Sequence, residues 1–272
     1  MFNPNIKEIY SLKDVESELF KLNSKSLVAF DIDDTLTIPS EPFFQILYLD
    51  NKFFQEPLGK FLDSIKQKNK NLFLSHKQKN IKTFNILSLV FDKTVFNPIE
   101  KQSIKLIKRM LNLNINVIGL TALSTGSFGV IGNLQDWRIK TLRKCGYYFS
   151  KRFEIRNEYF SFSENYNGLQ PAYKQGVLFS AGNSKGLVLH NFLKEVNFIP
   201  EKVVFFDDLI DNCVSVARAL YFLSIPYCCY LYKGAFKELI QFDQKIINYQ
   251  YEHLVKYNEF LTFESVSKKI YL

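Results

Sequence analysis

Hydrophobic residues follow two rhythms along this chain. Short, nearly unbroken apolar runs mark "LVAFDI" (27–32), "INVIGLTAL" (115–123), "KVVFFDD" (202–208) and "YCCYLY" (227–232), with "GYYFS" (146–150) a weaker fifth. Such runs suit strands buried on both faces, as parallel sheets require. Between them, apolar residues recur at helical spacing over 134–145, over 185–196 with Leu187, Leu189 and Phe192, and over 211–223. Nearer the N-terminus, 11–23 reads as an amphipathic helix. Ser11 and Asp14 form a capping-box pattern there, and Val15, Leu19 and Leu22 share a face. Strand and helix in alternation predict an α/β fold, a doubly wound parallel sheet.

The spacing is uneven, and that predicts insertions. A βαβ unit takes about 30 residues, yet residues 33–114 separate the first two strong strands. We therefore expect a core of 1–39 and 112–234 interrupted by a mostly helical cap over 40–111. Within the core, 151–176 alternates like a small β-hairpin insertion. Residues 235–272 form a C-terminal helical segment, with one long amphipathic helix over 235–262.

Composition changes this picture little. Of 272 residues, 47% are hydrophobic and 16% aromatic, enough for a large core and against intrinsic disorder. The net charge of +8 suits anionic partners, although lysine-rich solvated faces produce the same number. Six lysines and no acid fall within 65–82, a segment that fits either a solvated helical face or weak, salt-sensitive association with an anionic membrane. Nucleic acid is a poor partner, because arginine is sparse and no binding motif occurs. Cys145, Cys213, Cys228 and Cys229 do not make a disulfide framework, so a reducing, cytoplasm-like compartment is expected. The N-terminal stretch lacks a signal-peptide core, and the longest apolar run (219–232) contains Pro226 and is too short to span a bilayer.

Chemistry enters at the strand ends. In "AFDIDDTLT", Asp31 and Asp33 sit two apart, so their side chains leave on one side. Two such carboxylates about 4 Å apart repel by about 4 kcal/mol at an effective dielectric near 20, so a cation is needed. In open α/β sheets ligands bind beyond the carboxyl ends of strands. "DIDD", "LTA" and "FFDD" all fall there.

These residues resemble the haloacid-dehalogenase-like (HAD) phosphohydrolases, in the order "AFDIDDTLT", "VIGLTA", "GVLFSAGNSKG" and "VVFFDDLIDN". The resemblance covers roughly 26–38 and 115–213 and implies a HAD-like Rossmannoid core. It implies Asp31 as nucleophile, forming an aspartyl-phosphate, and Asp33 as acid/base, with Thr35 steadying the loop. It makes Thr121, with Ala122, the phosphate-binding strand end, and Lys185 the cation at a helix start. It also implies a metal site. Asp31, Asp33, Asp207 and Asp208 are the candidate ligands, Asp208 ahead of Asp207, with Asn212 or Asp211 orienting Lys185 or the loop. All-oxygen ligation favours Mg²⁺. The set further resembles a HAD subgroup of intracellular bacteria that includes a translocated effector protein-tyrosine phosphatase associated with host membranes. The resemblance thus implies a phosphorylated substrate, aryl phosphate first. The alternatives are a small-metabolite or nucleotide phosphatase and a non-catalytic membrane or protein adaptor.

Overall fold

A computed structural model describes residues 4–46, 81–153, 155, 170–235 and 243–272. The chain divides into two compact units. The first comprises residues 1–38, 98–125 and 135–238, and the second comprises 39–97, 126–134 and 239–272.

The first unit is α/β, built on a mostly parallel seven-stranded sheet. Its strands are β1 (Ile6–Ile9), β2 (Ser26–Phe30), β5 (Asn116–Thr121), β6 (Ala172–Lys174), β7 (Val177–Phe179), β8 (Lys202–Asp207) and β9 (Tyr227–Tyr232). They lie in the order β1-β9-β8-β2-β5-β7-β6, and only the β6–β7 pair is antiparallel. The helices of this unit include α4 (Lys101–Asn112), α5 (Leu134–Cys145), α6 (Lys185–Glu195) and α7 (Ile210–Phe222).

Strand alternation explains the core. Leu27 and Ala29 of β2, Ile118 and Leu120 of β5 and Val203 and Phe205 of β8 point to one face. There they pack against Val188, Leu189 and Phe192 of α6 and Val216, Ala217 and Leu220 of α7. On the other face the intervening residues Phe30, Phe206 and Tyr230 stack ring on ring, with centroids 4.6 and 5.0 Å apart. Because both faces are covered, these strands read as unbroken apolar runs.

Two strand expectations change. Residues 146–150 do not form a strand; β7 occupies the place beside β5 instead. A hydrogen bond from Ser150 N to Val117 O is what remains of the expected pairing. The β6–β7 hairpin closes through Gln175 and Gly176, both at positive φ, as a two-residue turn of type I′ demands. The edge strand β1, paired in parallel with β9, is too short and polar to carry a clear signal. Most of the expected hairpin insertion, residues 154 and 156–169, lies outside the described residues.

The N-terminal segment begins with the expected capping box: the Ser11 hydroxyl accepts from the backbone, and Asp14 accepts from Ser11 N. It runs as a 3-10 turn (Leu12–Val15) and a short α1 (Glu16–Leu19) rather than as one helix through residue 23.

The chain passes between units at β3 (Thr37–Pro39) and β4 (Phe96–Pro98), which pair as a two-stranded sheet. The stretch 98–111, expected in the insertion, belongs to the sheet unit, since α4 buries Leu106, Ile107 and Met110 there. In the second unit, α2 (Pro42–Ile46) and α3 (Ile81–Lys93) join with 126–134 through aromatic contacts among Phe44, Phe91 and Phe128. In place of one long C-terminal helix there are two, α8 (Gln244–Tyr257) and α9 (Phe263–Tyr271). Asn258 in the left-handed region ends the first, and the Thr262 hydroxyl caps the second. Within the lysine cluster of 65–82, residues 65–80 lie outside the described residues. Among the described residues no helix is long and apolar enough to cross a membrane. The four cysteines are free and buried.

Candidate active site

Register builds the site. β2 and β8 pair in parallel with Phe30 opposite Phe206, so the next residue on each strand, Asp31 and Asp207, emerges side by side. Asp31 N donates to Phe206 O at 2.8 Å and locks that level. The chain then turns sharply. Leu36 N and Thr37 N both donate to Ile32 O at 3.0 and 2.9 Å, with Asp34 left-handed at φ 58°. In this loop the Thr35 hydroxyl donates to Asp31 Oδ2 at 3.2 Å.

On the other flank, β5 and β7 are stitched together beyond their ends. Ser180 N donates to Thr121 O at 2.8 Å and Gly182 N to Ala122 O at 3.1 Å. Left-handed Ala181 and Gly182 then swing the chain into α6, whose first residue is Lys185. Gly186 lies against α7, where an added Cβ would come 2.1 Å from Ser215 O. Only glycine lets the two helices approach this closely, and their approach seats Lys185.

The Lys185 side chain is 2% exposed and reaches under the strand ends. Its Nζ donates to Asp31 Oδ1 and, at 2.6 Å, to Asp207 Oδ2. Asp207 Oδ1 accepts from Leu209 N at 3.0 Å and from the Asn212 side chain at 2.9 Å. Asn212 thus hydrogen-bonds the same carboxylate that Lys185 pairs with. Asp211 is exposed and outside this network. Thr121 is buried, and its hydroxyl accepts from Leu123 N at 3.1 Å, which leaves the hydroxyl proton to donate elsewhere.

Carboxylate oxygens of Asp31, Asp207 and Asp208 lie within 4.8 Å of one another, a group able to hold a metal ion. Asp33 is not in that group. Both of its oxygens instead face Arg138 of α5, at 2.8 and 2.9 Å from Nη2. Sequence reasoning missed Arg138. The signal was available: Leu134, Arg138 and Leu142 share the buried stripe of one helix, and an arginine on such a stripe needs a partner.

Charge is unbalanced. Burial pushes the Asp31 carboxyl well above the usual range; Asp207, Asp208 and Asp33 add to this while Lys185 opposes it. Asp208 is pushed up to about 7, first by burial and then by Asp207 and Asp34. Asp34 is raised to about 6 by burial and by Asp33. For Lys185, burial works to lower proton affinity, but Asp31 and Asp207 outweigh it and the ammonium is held above its ordinary value. One ammonium meets two of the three carboxylates, so the group holds more acids than bases.

A family model described as "Protein of unknown function (DUF2608)" matches residues 8–265. The chain belongs to this family. The matched span contains the whole cluster from Asp31 to Asn212, together with Arg138. An uncharacterized protein of Rickettsia prowazekii (strain Madrid E) is 25% identical over 218 residues, 76% of this chain and 72% of its own length. An uncharacterized protein of Rickettsia typhi (strain ATCC VR-144 / Wilmington) is 25% identical over 197 residues, 69% of this chain and 66% of its own length. No solved structure matches the chain.

Proposed function

We propose that the chain is a Mg²⁺-dependent phosphomonoester hydrolase on a HAD-like core, working through an aspartyl-phosphate at Asp31 and preferring aryl phosphates. The observation that carries this reading is the buried Lys185 bridging Asp31 and Asp207 beside Asp208, at the C-terminal ends of adjacent parallel strands. A purely structural salt bridge would pair one acid with one base. This cluster holds surplus negative charge.

The donor set fits a hard divalent ion. Asp31, Asp207 and Asp208 offer only carboxylate oxygens, and Mg²⁺ takes a few of these and keeps its waters. Although Asp31 and Asp207 already accept hydrogen bonds, a carboxylate has about four acceptor sites, so capacity remains. When bound, the ion would neutralise charge on the cluster and on the phosphoryl oxygens.

The chain's own residues supply the remaining steps. Lys185 keeps Asp31 oriented and offsets its charge as phosphate arrives. An Asp31 oxygen forms the bond to phosphorus; the bond to the leaving oxygen breaks, and that oxygen takes the electron pair and a proton from Asp33, which enters this step protonated. Water then attacks phosphorus and gives its proton to Asp33, the bond from phosphorus to Asp31 breaks, and phosphate leaves. The Thr121 hydroxyl would donate to a phosphoryl oxygen. In this reading the segment entered after β3 is the substrate-selecting cap.

The test is hydrolysis of aryl phosphates, nucleotides and sugar phosphates with Mg²⁺, with chelator, and with Asp31→Asn. Hydrolysis that needs both the metal and Asp31, fastest on aryl phosphates, is expected. Turnover that survives chelator and Asp31→Asn would overturn the chemistry, and a preference for nucleotides or sugar phosphates would move the substrate class.

A further inference from the structure

Arg138 poses a question that the cluster around Lys185 does not answer. Its side chain is 2% exposed, whereas the Asp33 carboxylate it holds is 43% exposed. Burying a guanidinium is costly unless it is paired, so the pair has a purpose at one end or the other. The buried end belongs to α5, with the guanidinium also 5.0 Å from the Trp137 ring. At the open end is a carboxylate two residues from Asp31, close enough to add to its charge. Yet Asp33 does not share the metal group of Asp31, Asp207 and Asp208.

We propose that Arg138 is a positioning residue that withholds the Asp33 side chain from the metal group and keeps it turned to solvent, within reach of a substrate. The catalytic half of this inference rests on the phosphohydrolase reading; the metal half does not. The geometry favours restraint by orientation. One nitrogen, Nη2, meets both oxygens of Asp33, so the carboxylate faces the guanidinium head-on and is fixed at both oxygens. The short loop behind it adds backbone restraint, since Asp33 bridges to Thr37 and Asp34 N donates to Thr37 O at 2.9 Å. Released from Arg138, the Asp33 side chain would have a nearby alternative, a divalent ion short of protein ligands.

The inference predicts two opposite effects from one substitution. In Arg138→Met the full-length protein should bind Mg²⁺ more tightly, by roughly tenfold, because affinity rises with the number of charged ligands. Turnover of an aryl phosphate should fall in the same variant, by on the order of 10²-fold, as the acid/base group is lost to the metal. A merely structural role would weaken both. Titration calorimetry with Mg²⁺ alone reads the first effect, and steady-state kinetics reads the second.

A bare charge effect is the rival explanation for tighter metal binding, so two further variants separate charge from position. Arg138→Lys keeps the charge but loses the reach and the planar head that carry Nη2 to both oxygens, and should lie between wild type and Arg138→Met. In an Asp33→Asn background, Arg138→Met should change neither Mg²⁺ affinity nor turnover any further. Tightening that persists in that background, or Arg138→Lys indistinguishable from wild type, would show a charge effect and overturn the inference. So would unchanged or weakened Mg²⁺ binding in a folded Arg138→Met protein. If Arg138→Met fails to fold, the comparison of Arg138→Lys in the two backgrounds decides the same point. Should wild type hydrolyse nothing, the phosphohydrolase reading and the substrate-facing role of Asp33 fall together, while the calorimetry still decides whether Arg138 withholds Asp33.

Discussion

Asp31 and Glu41 are both carboxylates almost closed to solvent, at 5% and 6% exposure, and their neighbourhoods differ in kind. Asp31 stands in the sheet unit among other acids, with Lys185 as its partner. Glu41 stands in the second unit among neutral donors. Phe263 N donates to its two oxygens at 3.2 and 3.0 Å, and the Gln250 side chain donates to one of them at 3.3 Å. Phe263 is the first residue of α9, so Glu41 caps that helix where a negative charge is favoured. Burial raises its proton affinity and these donors work against the rise. Glu41 is a lone carboxylate met by neutral donors, whereas Asp31 shares one ammonium with a second carboxylate and lies among further acids. Burial of a carboxylate therefore does not by itself single out a candidate site; in the reading proposed above, several acids gathered around one ammonium do.

The sharpest way to break this comparison is Asp31→Asn. It should remove turnover by on the order of 10⁴-fold or more, as nucleophile replacements do. Glu41→Gln should leave turnover unchanged. Near-normal rates in Asp31→Asn would make the two carboxylates equivalent after all.

Stability gives the next contrast. Lys185→Met strands Asp31 and Asp207 in the interior, and breaking a buried ion pair costs about 3–5 kcal/mol. Denaturant unfolding at neutral pH should show that loss. Excess Mg²⁺ should stabilise wild type, by about 2.7 kcal/mol at a hundredfold excess over Kd. Chelator should remove the gain, and Asp208→Asn should diminish it. Glu41→Gln should gain from Mg²⁺ as much as wild type does.

The smallest effect belongs to Glu41. Its carboxyl has a raised pKa in the folded protein, so its contribution is greatest while it is protonated and declines as pH rises from the unfolded value through the folded one. Glu41→Gln keeps an acceptor for Phe263 N and should flatten that part of the stability curve, changing stability by about 1 kcal/mol or less. Unfolding measured at acidic and at neutral pH checks the sign. A variant that loses stability equally at both would show that shape, not charge, is what Glu41 supplies.

Much of the sheet was legible because its strands are buried on both faces. "LVAFDI", "INVIGLTAL", "KVVFFDD" and "YCCYLY" became β2, β5, β8 and β9 with small boundary changes. Residues 146–150 misled because aromatic residues and a glycine also suit a buried, extended segment outside the ladder. β7 was hidden in "GVLFSAGNSKG", three residues long and dependent on the turn at Gln175 and Gly176. The C-terminal segment kept a helical period across the break at Asn258, so periodicity alone did not show two helices.

By itself the sequence determined the α/β sheet, the strand ends that carry Asp31, Thr121 and Asp207, and the helix start that carries Lys185. These are local properties, set by side-chain period and by residues adjacent in the chain. Tertiary structure alone decided which charges meet. The parallel register of β2 and β8 set Asp31 beside Asp207, and the close approach of α6 to α7 at Gly186 drove Lys185 beneath both. Arg138 reached Asp33 across 105 positions of chain, and that separation is why no local pattern could pair them. Electrostatic partnership depends on distance in space and on exclusion of water, and a linear order of residues encodes neither until the chain has folded.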